Sequence, residues 1–343
     1  MKRGVRILLY LVVGIVVLLA AGITATIGWR PIIGPKSRPL TARTFESTPA
    51  RLARGEYLMT GVTPCLVCHS ESAEPDALWL PKPGTEAGGQ HWKEAALSWL
   101  VVPNISPDPE TGAGTWSDDA IARAVREGIG HDGRTLFPMM PYQQFRHMSD
   151  EDLASIVVYL RSLKPVRNAL PRSEIPFPVS RLINSAPEPL AGPVPDPDLS
   201  TPEKRGWYVA TLAGCADCHT PFDDKNQPIA TMAFAGGNDF EVAGRPYVAS
   251  QNLTPSPNGI PYYTEELFLE TIRTGHVRGR TISEVMPWRF FSRMSDEDLK
   301  AVFAYLKTLT PVDHYVDNSL PPTLCEKCGH KHGGGERNKK TST

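Results

Sequence analysis

Two pentapeptides decide how this chain folds: CLVCH at residues 65–69 and CADCH at residues 215–219. In each, two residues separate a pair of cysteines, and a histidine follows at once. This spacing is typical of c-type haem attachment, in which both thiols form thioethers to the porphyrin and the histidine binds the iron. A zinc site needs four ligands, and each pentapeptide offers three with no matched fourth ligand nearby, so haem is favoured over zinc or a disulfide. The sequence predicts two covalently bound c-type haems, held by Cys65, Cys68, His69, Cys215, Cys218 and His219.

The pentapeptides lie in two segments that repeat each other, residues 48–166 and about 201–312. A repeat unit of this length indicates a duplicated domain rather than a solenoid. The residues between the repeats, 167–200, are rich in proline and are expected to form a stiff connector that holds the domains at a fixed separation. The matched stretches are 87–89 with 235–237, 104–107 with 252–255, 133–135 with 279–281, 140–141 with 286–287, and 148–153 with 294–299.

Three helices are predicted in each repeat. The first leads into the pentapeptide, and the other two begin after Ser or Thr caps and end near glycine or proline. The predicted ranges are 49–59, 118–127 and 150–163 in the first repeat, and 203–212, 265–274 and 296–309 in the second. Strand signals are weak, and the Ala-Gly-Gly stretches are expected to give at most a short hairpin. The fold class is therefore mainly α.

Composition and charge narrow the class of protein. The chain has 343 residues, of which 41% are hydrophobic and 21% charged, as in ordinary globular proteins. A net charge of −1 gives no electrostatic case for binding nucleic acid. The length suits two domains.

The N-terminal residues 1–29 form a candidate membrane anchor. Lys2, Arg3 and Arg6 precede an uncharged run over residues 7–29, which is long enough as a helix to span the hydrocarbon core. The basic start predicts a cytoplasmic N-terminus, with everything after Arg30 outside the cytoplasm. A cleaved signal peptide is the alternative, but its apolar region is usually only about 7–15 residues long. We therefore expect an anchor in the cytoplasmic membrane, a polar tether over residues 30–47, and periplasmic haem domains.

Matched methionines are candidates for the second axial ligand of each iron. Met140 and Met286 lie in loops directly before proline, where neither helix periodicity nor capping explains them. A thioether is a suitable haem ligand, and His/Met ligation raises the reduction potential. Met148 and Met294 instead stand directly before a helix cap, where a hydrophobic staple explains them. We assign Met140 and Met286 as axial ligands, with Met139 as the local alternative.

Arg134 and Arg280 are also matched between the repeats. A guanidinium suits the carboxylates of haem propionates, and a solvated arginine in a turn is an equal alternative. His91, His131, His147 and His314 have no counterpart in the other repeat, and unmatched histidines are more often surface or core residues than ligands.

Each repeat resembles a class I cytochrome c. The similarity rests on Gly55 and Tyr57 or Gly206 and Tyr208 in the first helix, the Cys-x-x-Cys-His turn, the Met-Pro loop, and Tyr159 or Tyr305 in the last helix. The resemblance implies that the first and last helices cross closely at a small residue. Residues 104–112 and 115–119 are similar to membrane-bound cytochrome c subunits of bacterial periplasmic dehydrogenases acting on alcohols, gluconate or related substrates. Those subunits commonly carry three haem motifs, whereas this chain has two.

The C-terminal tail, residues 317–343, holds a third pair of cysteines. Cys325 and Cys328 have the Cys-x-x-Cys spacing, but Gly329 separates them from His330 and breaks the haem-attachment pattern. A disulfide, free thiols, or a crowded metal site with His330 and His332 are the alternatives. Residues 333–343 are expected to be disordered.

The domain order is thus an anchor (1–29), a tether (30–47), a first cytochrome c domain (48–166), a linker (167–200), a second cytochrome c domain (201–316) and a tail. We expect a membrane-tethered electron carrier and no enzyme activity of its own. It would pass electrons from a dehydrogenase or quinol-oxidising complex to a terminal oxidase or soluble cytochrome. A di-haem peroxidase is an alternative, as is a haem-bearing structural subunit of a larger respiratory complex.

Overall fold

The computed structural model describes residues 3–73, 78–92, 97–242 and 246–339, and these divide into two compact units. The first unit comprises the chain up to Thr44, Trp116–Arg146 and Glu174–Gly192. The second comprises Phe45–Thr115, His147–Ser173 and the chain from Pro193 onward, so it contains both haem-attachment turns. The linker expected between the repeats is divided between the two units.

The fold is mainly helical, as the sequence predicts. The helices of the described residues are α1 (Arg3–Ala25), α2 (Arg30–Ile33), α3 (Pro49–Tyr57, continued by a π-helical turn Leu58–Val62), α4 (Cys65–Cys68), α5 (Asp118–Glu127), α6 (Tyr142–Phe145), α7 (Asp150–Ser162), α8 (Val179–Leu182), α9 (Pro202–Leu212), α10 (Cys215–His219), α11 (Glu265–Thr274), α12 (Trp288–Phe291) and α13 (Asp296–Thr308). Short 3₁₀ turns span Ile183–Ser185, Ala230–Met232 and Gly335–Asn338.

Side-chain caps fix the helix starts at the predicted residues. Ser117 accepts a hydrogen bond from the amide of Ala120, and Ser149 accepts one from Asp152. Their partners in the second repeat, Thr264 and Ser295, do the same for α11 and α13. These bonds satisfy amide groups that the first helical turn leaves without a partner, which explains why the local prediction succeeds.

In the second unit, the first and last helices of each repeat pack together at a glycine. A Cβ on Gly55 would lie 2.0 Å from the carbonyl oxygen of Ser155, and one on Gly206 would lie 1.9 Å from that of Ala301. No side chain fits at such distances, so α3 approaches α7, and α9 approaches α13, only because these positions are glycine. The expected close crossing is confirmed.

Short antiparallel strand pairs follow the Ala-Gly-Gly stretches. β1 (Gln90–His91) pairs with β2 (Val101–Val102), and β3 (Asp239–Phe240) pairs with β4 (Val248–Ala249). Two further pairs are β5 (His276–Val277) with β6 (Arg280–Thr281), and β7 (Pro322–Leu324) with β8 (Lys331–Gly333). Residues 333–343 are expected to be disordered, but Gly333 lies on β8 and a 3₁₀ turn spans Gly335–Asn338, so this part of the tail is ordered. Residues 340–343 lie outside the described part of the chain.

In the first unit, the tether after α1 is fastened to α5 by Arg38. Its Nη1 and Nη2 donate to the two carboxylate oxygens of Asp119 at 2.7 and 2.8 Å, and its Nε donates to Glu127 at 2.8 Å. Both acidic side chains are buried, and a bidentate arginine–carboxylate pair is the strongest form of this interaction. The tether is therefore held by a specific contact, which the sequence analysis does not predict.

In the second unit, two tyrosines connect the repeats reciprocally. Tyr57 Oη donates to Asp298, and the amide of Ser295 donates to Tyr57 Oη at 3.1 Å. In the same way, Tyr208 Oη donates to Asp152 at 2.7 Å and accepts from the amide of Ser149 at 3.1 Å. Each tyrosine thus joins the first helix of one repeat to the start of the last helix of the other. The two repeats therefore contact each other directly.

We expect Tyr208→Phe to lower the free energy of unfolding by about 2 kcal/mol, because it leaves the buried Ser149 amide without its partner and removes one hydrogen bond from the Asp152 carboxylate, which Arg54 still contacts. Burial, and then the Asp152 charge, raise the pKa of Tyr208. Its contribution is therefore complete below the ordinary tyrosine pKa of about 10 and declines as the pH rises through the raised value. Chemical denaturation at neutral pH measures the change.

The control for this prediction is Tyr315→Phe, which removes a tyrosine–aspartate bond between residues two positions apart, Tyr315 and Asp317. It should change stability by less than about 1 kcal/mol, because that contact connects no distant elements. Equal losses of stability in the two variants would show that the Tyr208 contact between the repeats stabilises the protein no more than a local hydrogen bond does.

Candidate haem sites

Each attachment turn is a single helical turn that presents its histidine in one tautomer. His69 Nδ1 lies 2.9 Å from the carbonyl oxygen of Pro103, and His219 Nδ1 lies 2.7 Å from that of Gln251. A carbonyl only accepts, so both Nδ1 atoms carry the proton and both Nε2 atoms keep a lone pair for a metal. Burial lowers the pKa of His69 and His219, which also favours the neutral imidazole. This is the arrangement that an iron ligand needs.

The Ala-Gly-Gly stretches hold these turns in place. The amides of Gly89 and Gly236 donate to the carbonyl oxygens of His69 and His219, each at 2.7 Å. Both glycines have positive φ, 76° and 71°, and a Cβ on either would lie within 2.5 Å of backbone atoms. Only glycine fits there. Gly89 is thus equivalent to Gly236, and Ala87 to Phe234, so the structure shifts the predicted match of 87–89 with 235–237 by one residue.

The matched asparagines connect the same region to the segment after each last helix. Asn104 Nδ2 donates to the carbonyl oxygen of Val166 at 2.7 Å, and Asn252 Nδ2 donates to that of Val312 at 2.9 Å. Their Oδ1 atoms accept from the amides of Ser106 and Thr254. Both side chains are buried, so these repeated residues shape the loop beside the histidine.

The second repeat contains a cavity beside its attachment turn. Cys215, Cys218, His219, Met286 and Arg280 line it. The remaining wall is largely apolar and includes Phe240, Ile260, Phe268, Ile272, Val302 and Leu306. An apolar cavity with two thiols, an imidazole and a thioether on its wall fits a covalently attached porphyrin. Arg280 remains a candidate partner for a propionate.

The structure brings Met286 and Met294 to the same cavity, and their surroundings differ. Met294 is only 5% exposed and directly precedes the Ser295 cap, as a hydrophobic staple requires. Met286 is half-buried in the loop before Pro287, where its thioether packs less completely. In the first repeat, Met148 is fully buried and belongs to the second unit. Met140 is half-buried in the first unit, directly before Pro141, and Met139 beside it is 36% exposed.

Two buried donors at matched positions also fit a bound group. Tyr142 and Trp288 both follow the Met-Pro pair, and each ring packs against a glycine, Gly128 or Gly275. Within the described residues, neither Tyr142 Oη nor Trp288 Nε1 has a hydrogen-bond acceptor. A buried donor without a partner is costly, so a bound group that supplies an acceptor would relieve this cost at either position.

Trp79 is a residue near the second site that sequence spacing does not identify. Its Nε1 donates to the carbonyl oxygens of Glu284 and Val285 at 2.9 and 3.1 Å, directly before Met286. Trp79 has no counterpart in the second repeat, so the repeat comparison gives no signal for it. The first repeat thus helps to position the loop that carries a candidate iron ligand of the second.

Comparison with known proteins agrees with this geometry. Residues 52–164 and residues 204–310 each match the model of the family "Cytochrome c". The chain belongs to the cytochrome c family. As a cytochrome c with two such domains, it carries two covalently bound c-type haems, and its role is electron transfer. The fold class and the cofactors predicted from the pentapeptides are confirmed.

Several relatives of this cytochrome c have curated names. The chain is 29% identical to a "Diheme cytochrome c-type" of Cereibacter sphaeroides, over 88% of this chain and 99% of that protein. It is 28% identical to the cytochrome c subunit of "Alcohol dehydrogenase (quinone)" of Gluconobacter oxydans, over 86% of this chain. It is 29% identical to the "Gluconate 2-dehydrogenase cytochrome c subunit" of Pantoea cypripedii, over 78% of this chain. The aligned part spans 63% and 62% of those two dehydrogenase subunits.

Proposed function

We propose that this cytochrome c is a membrane-tethered electron relay that accepts electrons from a dehydrogenase in the periplasm. In this proposal Cys65 and Cys68 bind one haem, Cys215 and Cys218 bind the other, and His69 and His219 are the proximal ligands. Met140 and Met286 are the second axial ligands, so neither iron keeps an open position for substrate. The acceptor is a terminal oxidase or a soluble cytochrome.

The observation that carries the proposal is that both attachment turns belong to one compact unit whose repeats are joined by reciprocal tyrosines. A contact of this kind limits relative motion of the two haem-binding segments. Electron transfer between two cofactors benefits from a fixed separation, whereas a single-haem carrier needs no such contact. The cytochrome c domains 48–166 and 201–316 are proposed as the two haem-bearing parts.

Membrane tethering rests on α1. The 18 most apolar consecutive residues of this 23-residue helix have a mean hydropathy of 2.8, and none of the helix side chains is buried by the rest of the protein. Its length matches the hydrocarbon thickness of a bilayer. Exposure of an apolar helix to water is unfavourable, so a lipid environment better explains why α1 is not covered by the rest of the protein. We propose that α1 crosses the cytoplasmic membrane with the haem domains on the periplasmic side.

The donor is proposed from the relatives. Three of them are named as cytochrome c subunits of dehydrogenases for alcohol, fructose and gluconate. We infer that this chain serves a dehydrogenase for a related alcohol, sugar or sugar acid, without itself binding the substrate.

The test is reduction of the haems in isolated membranes that contain the full chain. Ethanol, gluconate or fructose is added to oxidised membranes, and the haem absorbance is followed over time. Membranes from a matched strain that lacks the chain serve as the control. We expect one of these substrates to reduce both haems, and a dehydrogenase subunit to copurify in mild detergent. A soluble protein that turns over peroxide and binds carbon monoxide readily would contradict the proposal.

A further inference from the structure

Four potential metal ligands that the haems do not use meet in the second unit. They are His314, Cys325, Cys328 and His332. Their ligand atoms all lie within 4.8 Å of one another, and each of the four residues is at most 3% exposed. His314 follows the last helix, the cysteines lie in the turn after β7, and His332 lies on β8. Residues distant in sequence thus converge on one buried point.

The hydrogen bonds of the two histidines leave their other nitrogens facing each other. His314 Nδ1 lies 2.9 Å from the carbonyl oxygen of Ala235, and His332 Nδ1 lies 3.1 Å from that of Gly333. Both Nδ1 atoms therefore carry protons, and both Nε2 atoms carry lone pairs. These Nε2 atoms are only 3.1 Å apart. Two lone pairs at this distance repel each other unless a proton or a metal ion lies between them, and only a metal ion also accounts for the two cysteines beside them.

Two of the distances in the cluster are close to those of a tetrahedral zinc site, and its four ligand atoms, which lie up to 4.8 Å apart, would move slightly closer around the ion. Nitrogen ligands at about 2.0–2.1 Å and sulfur ligands at about 2.3 Å would be separated by about 3.5 Å for an N–S pair and about 3.3 Å for an N–N pair. The observed distance from Cys325 Sγ to His314 Nε2 is 3.5 Å, close to the first value. Each histidine also donates a hydrogen bond from its Nδ1–H group to a backbone carbonyl oxygen, as metal-bound histidines generally do.

The hairpin explains the glycine that breaks the haem spacing. Gly329 has a φ of 80°, and its amide donates to the carbonyl oxygen of Cys325 at 2.8 Å, which closes the turn between the two cysteines and β8. His330 points elsewhere: its Nδ1 and Nε2 lie 3.0 Å from Asp239 and from the carbonyl oxygen of Phe222. Of the three alternatives from the sequence, the metal site would therefore use His314 in place of His330.

We propose that His314, Cys325, Cys328 and His332 form a structural zinc site that fastens the tail to the second cytochrome c domain. Two thiolates and two imidazoles close the coordination sphere, so no position remains for a catalytic water. The alternatives from the sequence, a disulfide or two buried free thiols, leave the two facing Nε2 atoms unexplained.

Hydrogen bonds of two consecutive residues, Ala235 and Gly236, connect the cluster to the second attachment turn. Ala235 accepts the hydrogen bond from His314, and the next amide, that of Gly236, donates to the carbonyl oxygen of His219. Gly237 packs directly on the cluster, because a Cβ there would lie 2.6 Å from His314 Cε1 and 3.3 Å from Cys328 Sγ. Zinc would therefore stabilise the loop that supports the second attachment turn.

The experiment measures metal content in the full-length protein, purified without added chelator. We expect one zinc per chain in addition to two haem irons, and zinc X-ray absorption with two sulfur and two nitrogen neighbours. His314→Ala should lose most of the zinc and lower the melting temperature by more than about 5 °C while keeping both haems. The matched control His330→Ala lies in the same hairpin and should keep its zinc.

Several outcomes would overturn the proposal. A disulfide between Cys325 and Cys328, shown by mass spectrometry without reductant, would exclude the site. So would purified protein that contains copper or a third iron in place of zinc, or no metal with two reactive thiols. Zinc loss in His330→Ala equal to that in His314→Ala would refute the ligand assignment. If His314→Ala fails to fold, removal of zinc from the wild-type protein by a chelator, followed by melting, tests the same claim.

Discussion

Replacing Cys215 and Cys218 together with alanine is expected to reduce the covalently bound haem from two per chain to one. Each attachment turn supplies its own two thioether sulfurs, and the turns are separate helices, α4 and α10, so the first haem should remain. The pyridine haemochrome assay counts the haems, and the mass of the intact chain gives the number attached to each molecule. The reciprocal variant, Cys65→Ala with Cys68→Ala, should also retain one haem.

The tail provides a matched control for this prediction. Cys325 and Cys328 have the same spacing as the attachment cysteines, but Gly329 stands where the haem motif has histidine. Replacing both with alanine should leave two haems per chain. Two haems in the Cys215 and Cys218 variant would show that the attachment residues are assigned incorrectly, whereas loss of a haem in the tail variant would show that the tail contributes to haem incorporation.

Replacing Met286 with alanine is expected to open one iron to external ligands. The proposed thioether would be lost, so the near-infrared absorption of sulfur-ligated ferric haem should fall by about half if both haems have this ligation. The reduced variant should bind carbon monoxide at one haem, and the reduction potential of that haem should fall. Near-infrared absorption, carbon monoxide difference spectra and an optically detected redox titration measure these three changes.

Met294→Leu is the control, because Met294 lines the same cavity but packs in the core before the Ser295 cap. A hydrophobic replacement of similar volume should lower the free energy of unfolding by less than about 1.5 kcal/mol. It should leave the near-infrared spectrum and the carbon monoxide difference spectrum unchanged. If Met294→Leu, and not Met286→Ala, lowers the near-infrared band by about half, then Met294 is the ligand. The same pair of experiments at Met140 and Met148 addresses the first haem.

The sequence predicts well those features that depend on residues close together in the chain. The pentapeptides identify the haems because two thiols and one imidazole within five residues have few other uses. The caps at Ser117 and Ser149 place their helices because each bond spans three residues. The glycines at 55 and 206 follow from the family resemblance, and the structure adds their reason, a helix crossing with no room for a Cβ.

What the sequence does not predict depends on contacts between distant residues. His314 lacks a counterpart in the first repeat, so comparison of the repeats gives it no role, yet folding brings it to Cys325. Trp79 is similar, because its partners lie 205 and 206 residues away. Tyr57 and Tyr208 are matched and therefore visible in the sequence, but only the fold shows that each one contacts the other repeat.

If α1 lies in a bilayer, the contact between Arg38 and Asp119 limits how far α5 can lie from the membrane surface. Only the 12 residues 26–37 separate the end of α1 from Arg38, and a fully extended chain of that length covers at most about 45 Å. With α1 in lipid, helix α5 must stay within that distance of the surface. Encounters with a donor embedded in the same bilayer would then occur by lateral diffusion. Because both proteins would be confined to a thin layer, their local concentrations there would be high even at low copy number.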